Sequence, residues 1–210
     1  MPKPFRYLLY VAVIALLAYN SVYFKKLDEV KAGTAAFDAA GYAKNFWEKK
    51  LTPGLSKAVE LGILTTQLQT EKDKAFEQHS YALGIGNIRY FLVKGKGVVT
   101  DVSENEVTVK LTDAGESAGN VRIATEYIFG NAVRDASGAI DINAFTNSMD
   151  FNNVSAEINK LIREKVVPAF KSKVKKGDHV AFHGAIELNR AHLQVNDIEV
   201  IPVSLQIEKP

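Results

Sequence analysis

Ile88–Val102, IRYFLVKGKGVVTDV, alternates apolar and polar side chains and is broken midway by Gly95 and Gly97. A period of two in residues rich in Val, Ile, Phe and Tyr predicts a strand. Isolated glycines inside a strand mark a bulge or a sharp bend. Gly84-x-Gly86 and Gly95-x-Gly97 do not make a dinucleotide fingerprint, because the third glycine and the strand–turn–helix context are missing. Downstream, Ser103–Glu106 reads as a turn. Val107, Val109 and Leu111 alternate with Thr108, Lys110 and Thr112, which predicts a half-buried second strand. Asp113–Asn120 is a polar loop, and Val121–Phe129 is expected as a third strand with Val121, Ile123, Thr125, Tyr127 and Phe129 on one face.

Next comes Phe129–Asn153, FGNAVRDASGAIDINAFTNSMDFNN. It is dense in Asn, Asp, Ser and Gly, yet Val133, Ile140, Ile142, Phe145 and Phe151 punctuate it. Such anchors suit an ordered connection that folds back on a core. A helix follows, capped by Asn153 or Ser155, with Ile158, Leu161, Ile162, Val166, Ala169 and Phe170 as its apolar stripe. Pro168 kinks it or ends its first part. Lys171, Lys173, Lys175 and Lys176 form either a basic patch for anionic lipid heads or, more simply, a solvated helix end. Gly177-Asp178 turns the chain into a fourth strand, His179–Leu188. Leu193–Ile207 is the fifth, with Pro202 implying an edge or a bulge. Three strands, a helix and two strands, with a bent first strand, give an α+β fold. The order matches an OB-like five-stranded β-barrel with the helix between strands three and four, over residues 81–210.

Upstream, Lys3 and Arg6 precede an apolar run, Tyr7–Tyr19, and Lys25-Lys26 follow. This is a signal peptide or a membrane anchor. As a helix Tyr7–Phe24 spans roughly 27 Å, just short of a hydrocarbon core of about 30 Å. Leu17-Ala18-Tyr19-Asn20-Ser21 fits a cleavage site poorly, so residues 1–26 are expected to be an uncleaved anchor with the N-terminus in the cytoplasm. The inner membrane is then a partner, through Tyr7–Phe24. Residues 27–80 are expected as a helical neck: one helix over Leu27–Leu51 stopped by Pro53, and a second over Leu55–Glu77. Tyr42, Phe46 and Trp47 sit at helical spacing and read as packing residues.

The chain has 210 residues, 47% hydrophobic and 24% charged, enough for a sizeable core. A net charge of +2 gives no concentrated basic footprint for nucleic acid. There is no cysteine, which excludes disulfides, thiolate metal sites, a cysteine nucleophile and a lipid-modified cysteine in this chain. His179 and His183 are four apart on a strand, so their Cα atoms stand roughly 13 Å apart and one zinc ion cannot easily take both. Asp135–Phe145 echoes the end of an EF-hand loop, but Val133 and Ala144 fall where two anchor ligands belong. A looser cation site from Asp135, Asp141, Asp150 and Asn152 is the weaker alternative, and no metal or cofactor is assigned. Arg134 either clamps a carboxylate or phosphate or pairs with an acidic neighbour, while Asp135 and Ser137 close a turn and Gly138 takes a positive φ. No His-paired serine nucleophile has local support, so no catalytic residue is assigned. The residues expected to form a recognition surface are Asn131, Arg134, Asp135, Asp141, Asn152 and Asn153.

FDAAGYAKNFWEKKLTP, RYFLVKGKGVV, FGNAVRDASGAIDINAF, FNNVSAEINKLIREKVVP and GDHVAFHGAIE together resemble the DUF2291 family of predicted periplasmic lipoproteins. The resemblance covers nearly all the chain after Leu27, and GNAVRDASG is its most specific part. It implies a bacterial cell-envelope protein, of a family without established activity and often encoded near sugar ABC-transporter components. The expectation is therefore a membrane-anchored periplasmic binding or accessory protein touching a sugar-transport system or its solute. The alternatives are an envelope enzyme acting on a sugar or cell-wall polymer, with Asp135 or Asp141 as acid or base, and a purely structural envelope protein. Lacking cysteine, this chain departs from the lipoprotein pattern, and the Tyr7–Phe24 helix would be the anchor itself.

Overall fold

A computed structural model of the chain describes residues 3–21, 37–112 and 119–208. They fall into two compact units that divide between Phe37 and Asp38. The first unit carries α1 (Lys3–Ser21), with Leu8, Ile14 and Leu17 exposed. Among the described residues no helix is long and apolar enough to cross a membrane. The expected Tyr7–Phe24 anchor is not shown: the apolar run Tyr7–Tyr19 within α1 rises only roughly 20 Å against a core of about 30 Å. Residues 22–36, which include Phe24 and the expected start of the neck, lie outside the described residues.

In the second unit five strands close into a barrel: β1 (Ile88–Val102), β2 (Glu106–Leu111), β3 (Asn120–Ala124), β4 (His179–Asn189) and β5 (Ile198–Glu208). β1 runs antiparallel to both β2 (Val99↔Val109) and β4 (Phe91↔Ile186). β2 pairs with β3 antiparallel, and β3 with β5 parallel (Val121↔Ile198). β5 returns antiparallel to β4, which completes the ring. A strand gripped on both edges has to bend, and the two mid-strand glycines supply the room. A Cβ at Gly97 would lie 2.3 Å from the Lys110 carbonyl oxygen, and one at Gly95 2.7 Å from the Phe182 ring. The ladder slips between Val99 and Asp101, and again between His183 and Gly184, opposite Pro202.

Successive strand residues face opposite sides, and this barrel buries both. Phe91, Val93, Val109, Ile123, Phe182 and Val200 fill the interior. Each large apolar side chain buried there contributes about 1.5–3 kcal/mol. Leu64 and Leu68 of α2 (Leu61–Thr70) and Phe76 of α3 (Lys72–His79) join that core. Their neighbours Leu92, Ala185, Ile201 and Val203 point outward into a second core with two further helical segments. One is α4 (Ala39–Phe46), which precedes α2 in the chain; the other is α5 (Ser148–Leu161).

Several expected boundaries move, each for a local reason. Pro53 does not stop its helix: α4 continues through a π turn (Trp47–Leu51) into Thr52–Gly54, the Thr52 N–H reaching back to the Trp47 carbonyl. The expected helix Leu55–Glu77 is interrupted twice. Val59-Glu60 pairs as a short parallel strand with Val93-Lys94, and Glu71, at φ −135°, separates α2 from α3. β3 ends at Ala124, because the Thr125 and Glu126 amides turn onto the Asn105 carbonyl at 2.8 and 3.2 Å. Tyr127 and Phe129 are therefore exposed instead of facing the core. The cap of α5 is Asn147, whose Oδ1 accepts from the Asp150 amide at 2.8 Å, not Asn153 or Ser155. Pro168 is passed like Pro53, through a π turn at Ile162–Val166 that leads into Val167–Lys171.

Candidate functional site

Phe129–Asn153 is ordered around a short helix, Ala132–Ala136, whose five residues are all buried. Arg134 and Asp135 are 3% and 5% exposed and pair with each other, Nε to Oδ1 at 2.6 Å and Nη2 to Oδ2 at 3.2 Å. The Arg134 Nη1 donates to the Phe151 carbonyl at 3.1 Å, and its guanidinium lies 3.5 Å from the Phe151 ring centroid. Ser137 Oγ donates to the Arg134 carbonyl at 2.6 Å and accepts from the Ala139 amide. Gly138 takes φ +60° with its α-carbon face against the Tyr81 ring. From α5, Asn159 donates to the Gly130 carbonyl at 2.9 Å. Each carboxylate oxygen of Asp135 thus accepts from Arg134 and is shielded from solvent, so it lacks the access of an acid or base acting on a substrate.

The remaining expected residues separate. Asp141 is exposed and caps its own turn, accepting from the Asn143 amide and side chain at 2.9 and 3.0 Å. Asn152 and Asn153 lie exposed on α5. Asp150 accepts from Asn147 at 2.7 Å. The looser cation site is not assembled: among the described residues no three His, Asp or Glu side chains group to hold a metal ion. On β4, burial and then the Lys94 charge hold the His183 imidazole below its usual value, with Glu60 opposing.

Asn131 alone of the expected six lines a cleft, of about 400 Å³. Phe129–Ala132 form one wall; the end of β4, the start of β5 and the connection between them form the others. Glu187, Asn189, His192, Gln194 and Glu199 bring carboxylate, amide and imidazole groups to it, and Ile88, Leu188 and the 67%-exposed Phe129 supply apolar surface. Asn189 Oδ1 accepts from the Ala191 and His192 amides at 2.9 and 3.2 Å, which fixes the turn carrying His192. Arg122 takes up part of the negative charge, holding Asp197 at 2.6 Å and standing 4.0 Å from Glu199. Glu187 faces Tyr90 across the β1–β4 register. Burial pushes the Tyr90 phenol up to about 12, with the Glu187 and Asp135 carboxylates adding and Arg134 opposing. Tyr90 thus senses both the buried Arg134–Asp135 pair and Glu187 of the cleft. The β4–β5 connection that supplies these residues resembles a strand in sequence, because Leu193 and Val195 alternate with Gln194 and Asn196; the polar His192, Gln194, Asn196 and Asp197 are the signal for a site there.

Convergent acceptors and donors beside an exposed ring suit a neutral ligand rich in hydroxyls, and the carboxylates disfavour an anion. No curated protein matches the sequence. Among solved structures, the chain is similar to an OB-fold protein from Thermotoga maritima, with a TM-score of 0.74 and 24% identity over 83% of this chain and 100% of that one. That likeness establishes the fold alone. The model of a family described as predicted periplasmic lipoproteins matches residues 12–206, and the chain belongs to that family, DUF2291.

Proposed function

We propose that the chain is a periplasmic binding or accessory protein that holds a sugar-sized, neutral, polyhydroxylated ligand in the cleft at the barrel mouth, and serves a sugar ABC-transport system. In this reading α1 is the targeting segment that directs the domain across the inner membrane. Its short apolar run between a basic start and a polar end fits that role. The observation that carries the reading is the cleft itself. Glu187 and the Asn131, Asn189 and Gln194 side chains bring acceptors and donors to one cleft, and Phe129 offers an exposed aromatic face for the C–H side of a ring. The family description supports the compartment. An enzymatic role through Asp135 has no support, given its burial and its pairing with Arg134.

The test is equilibrium binding of a panel of pentoses and hexoses, read by saturation-transfer NMR. At least one sugar is expected to bind, and Glu187→Gln with Phe129→Ala is expected to weaken it at least tenfold at unchanged melting temperature. A panel without any binder, or binding indifferent to both substitutions, refutes the reading.

A further inference from the structure

The segments that begin as α4 and α5 pack side by side on the outside of the barrel, through Ala43, Phe46, Val154 and Ile158. Each passes through a π turn, Trp47–Leu51 and Ile162–Val166, just ahead of a proline. A π turn inserts a residue and widens the helix, a feature often found at functional sites. In the first, the Trp47 carbonyl accepts from both the Thr52 N–H and, at 2.8 Å, the Thr52 hydroxyl. A groove of about 380 Å³ opens where the two turns meet, lined by Lys44, Trp47, Glu48, Thr52, Leu161 and Lys165.

Its chemistry is divided. Trp47 and Leu161 are half-buried and make an apolar floor, whereas Lys44 and Lys165 are exposed at the rim. Neither lysine has an ion-pair or hydrogen-bond partner among the described residues, although Lys160 close by is 3.7 Å from Glu157. Glu48 is the single carboxylate of the lining, and the exposed Lys49 and Lys50 follow it on the same turn. Two unpartnered ammonium groups above an indole and an isobutyl group fit an anion carried on an aliphatic body. The ammonium groups act on a phosphate as point charges, and an indole suits the boundary between headgroup and acyl chain.

We propose that this groove docks the phosphate headgroup of an acidic phospholipid, Lys44 and Lys165 holding the phosphodiester while Trp47 and Leu161 receive the first methylenes. The domain would then rest on an anionic membrane surface by this side. The site is distinct from the barrel-mouth cleft and does not depend on what that cleft binds.

Trp47 is the only tryptophan of the chain, so its emission reports on the groove directly. The full-length protein is titrated with vesicles of phosphatidylglycerol and phosphatidylcholine, with pure phosphatidylcholine vesicles, and with inorganic phosphate and glycerol phosphate in solution. A saturable blue shift is expected with the phosphatidylglycerol vesicles and not with pure phosphatidylcholine. A basic residue near an anionic surface gives about a fivefold gain, so Lys44→Gln with Lys165→Gln should weaken that response about 30-fold. Recruitment through α1, whose Lys3 and Arg6 also favour an anionic surface, would not sense the double substitution. Both lysines are exposed, so the melting temperature of the double variant should match the wild type. An emission change of equal size on both vesicle types, no change on either, or an unaffected double variant overturns the proposal. A response to soluble phosphate esters alone also overturns it, and assigns the groove to a free ligand.

Discussion

Removing the Asp135 carboxylate tests how the Arg134–Asp135 pair is used. Asp135→Ala strips two hydrogen bonds, at 2.6 and 3.2 Å, from a guanidinium that is 3% exposed. Arg134 is left with the Phe151 carbonyl and the Phe151 ring. Neither neutralises its charge, and no solvent reaches it to do so. Breaking one side of a buried pair costs about 3–5 kcal/mol, most of it the desolvation of the stranded ion. For a unit of this size each kcal/mol moves the midpoint by about 2–4 °C, so the melting temperature should fall by roughly 6–20 °C. Arg134→Met combined with Asp135→Val removes both charges at close to the same total volume, and should recover most of that loss. Urea unfolding followed by circular dichroism reads both. If Asp135→Ala costs less than about 1 kcal/mol, or if the double replacement is as damaged as the single one, the pair does not hold this connection together and the structural account of it is wrong.

Gly138 and Gly54 make a matched comparison. Gly138→Ala forces a Cβ to 2.3 Å from the Tyr81 ring at φ +60°, and should destabilise by more than about 1 kcal/mol. Gly54→Ala, at φ −66° and open to solvent, should be neutral or stabilising by about 0.4–1 kcal/mol; equal effects at the two positions would contradict the turn geometry. His183 gives a pH signature. Its folded-state value is lowered from 6.5, so the unfolded chain binds more protons in the window just below 6.5. Its contribution is complete above pH 6.5 and is lost as the pH falls through the lowered value. Urea midpoints at pH 7.5 and 5 should drop more in the wild type than in His183→Gln, and parallel drops would refute the assignment.

The barrel was legible where the signal is local. β1, β2 and β4 carry their alternation in consecutive residues, and Gly95 and Gly97 announce a bend that the Lys110 carbonyl and the Phe182 ring then require. The turn reading of Arg134–Gly138 was also local, since the pair is adjacent in the chain and Ser137 and Gly138 complete the turn. What the sequence hid is decided at long range or by competition. Nothing in EYIFG says that Asn105 captures the amides ending β3 and so leaves Phe129 exposed. In TNSMDFNN three asparagines compete to cap, and only the packing of Phe151 and Val154 selects Asn147. Pro53 and Pro168 look like stops because a π turn that accommodates a proline has no compositional mark. The cleft joins Asn131 to Glu187 and Gln194 only once the barrel has closed.

Chemical-shift mapping on ¹⁵N-labelled protein with the tightest-binding sugar of the panel tests the central claim most directly. The account predicts that the largest shifts fall on the backbone and side-chain amides of Asn131, Asn189 and Gln194, and that Glu187→Gln needs more sugar to reach them. Shifts centred on Asp141, Asn152 and Asn153, with the cleft amides unmoved, would contradict it.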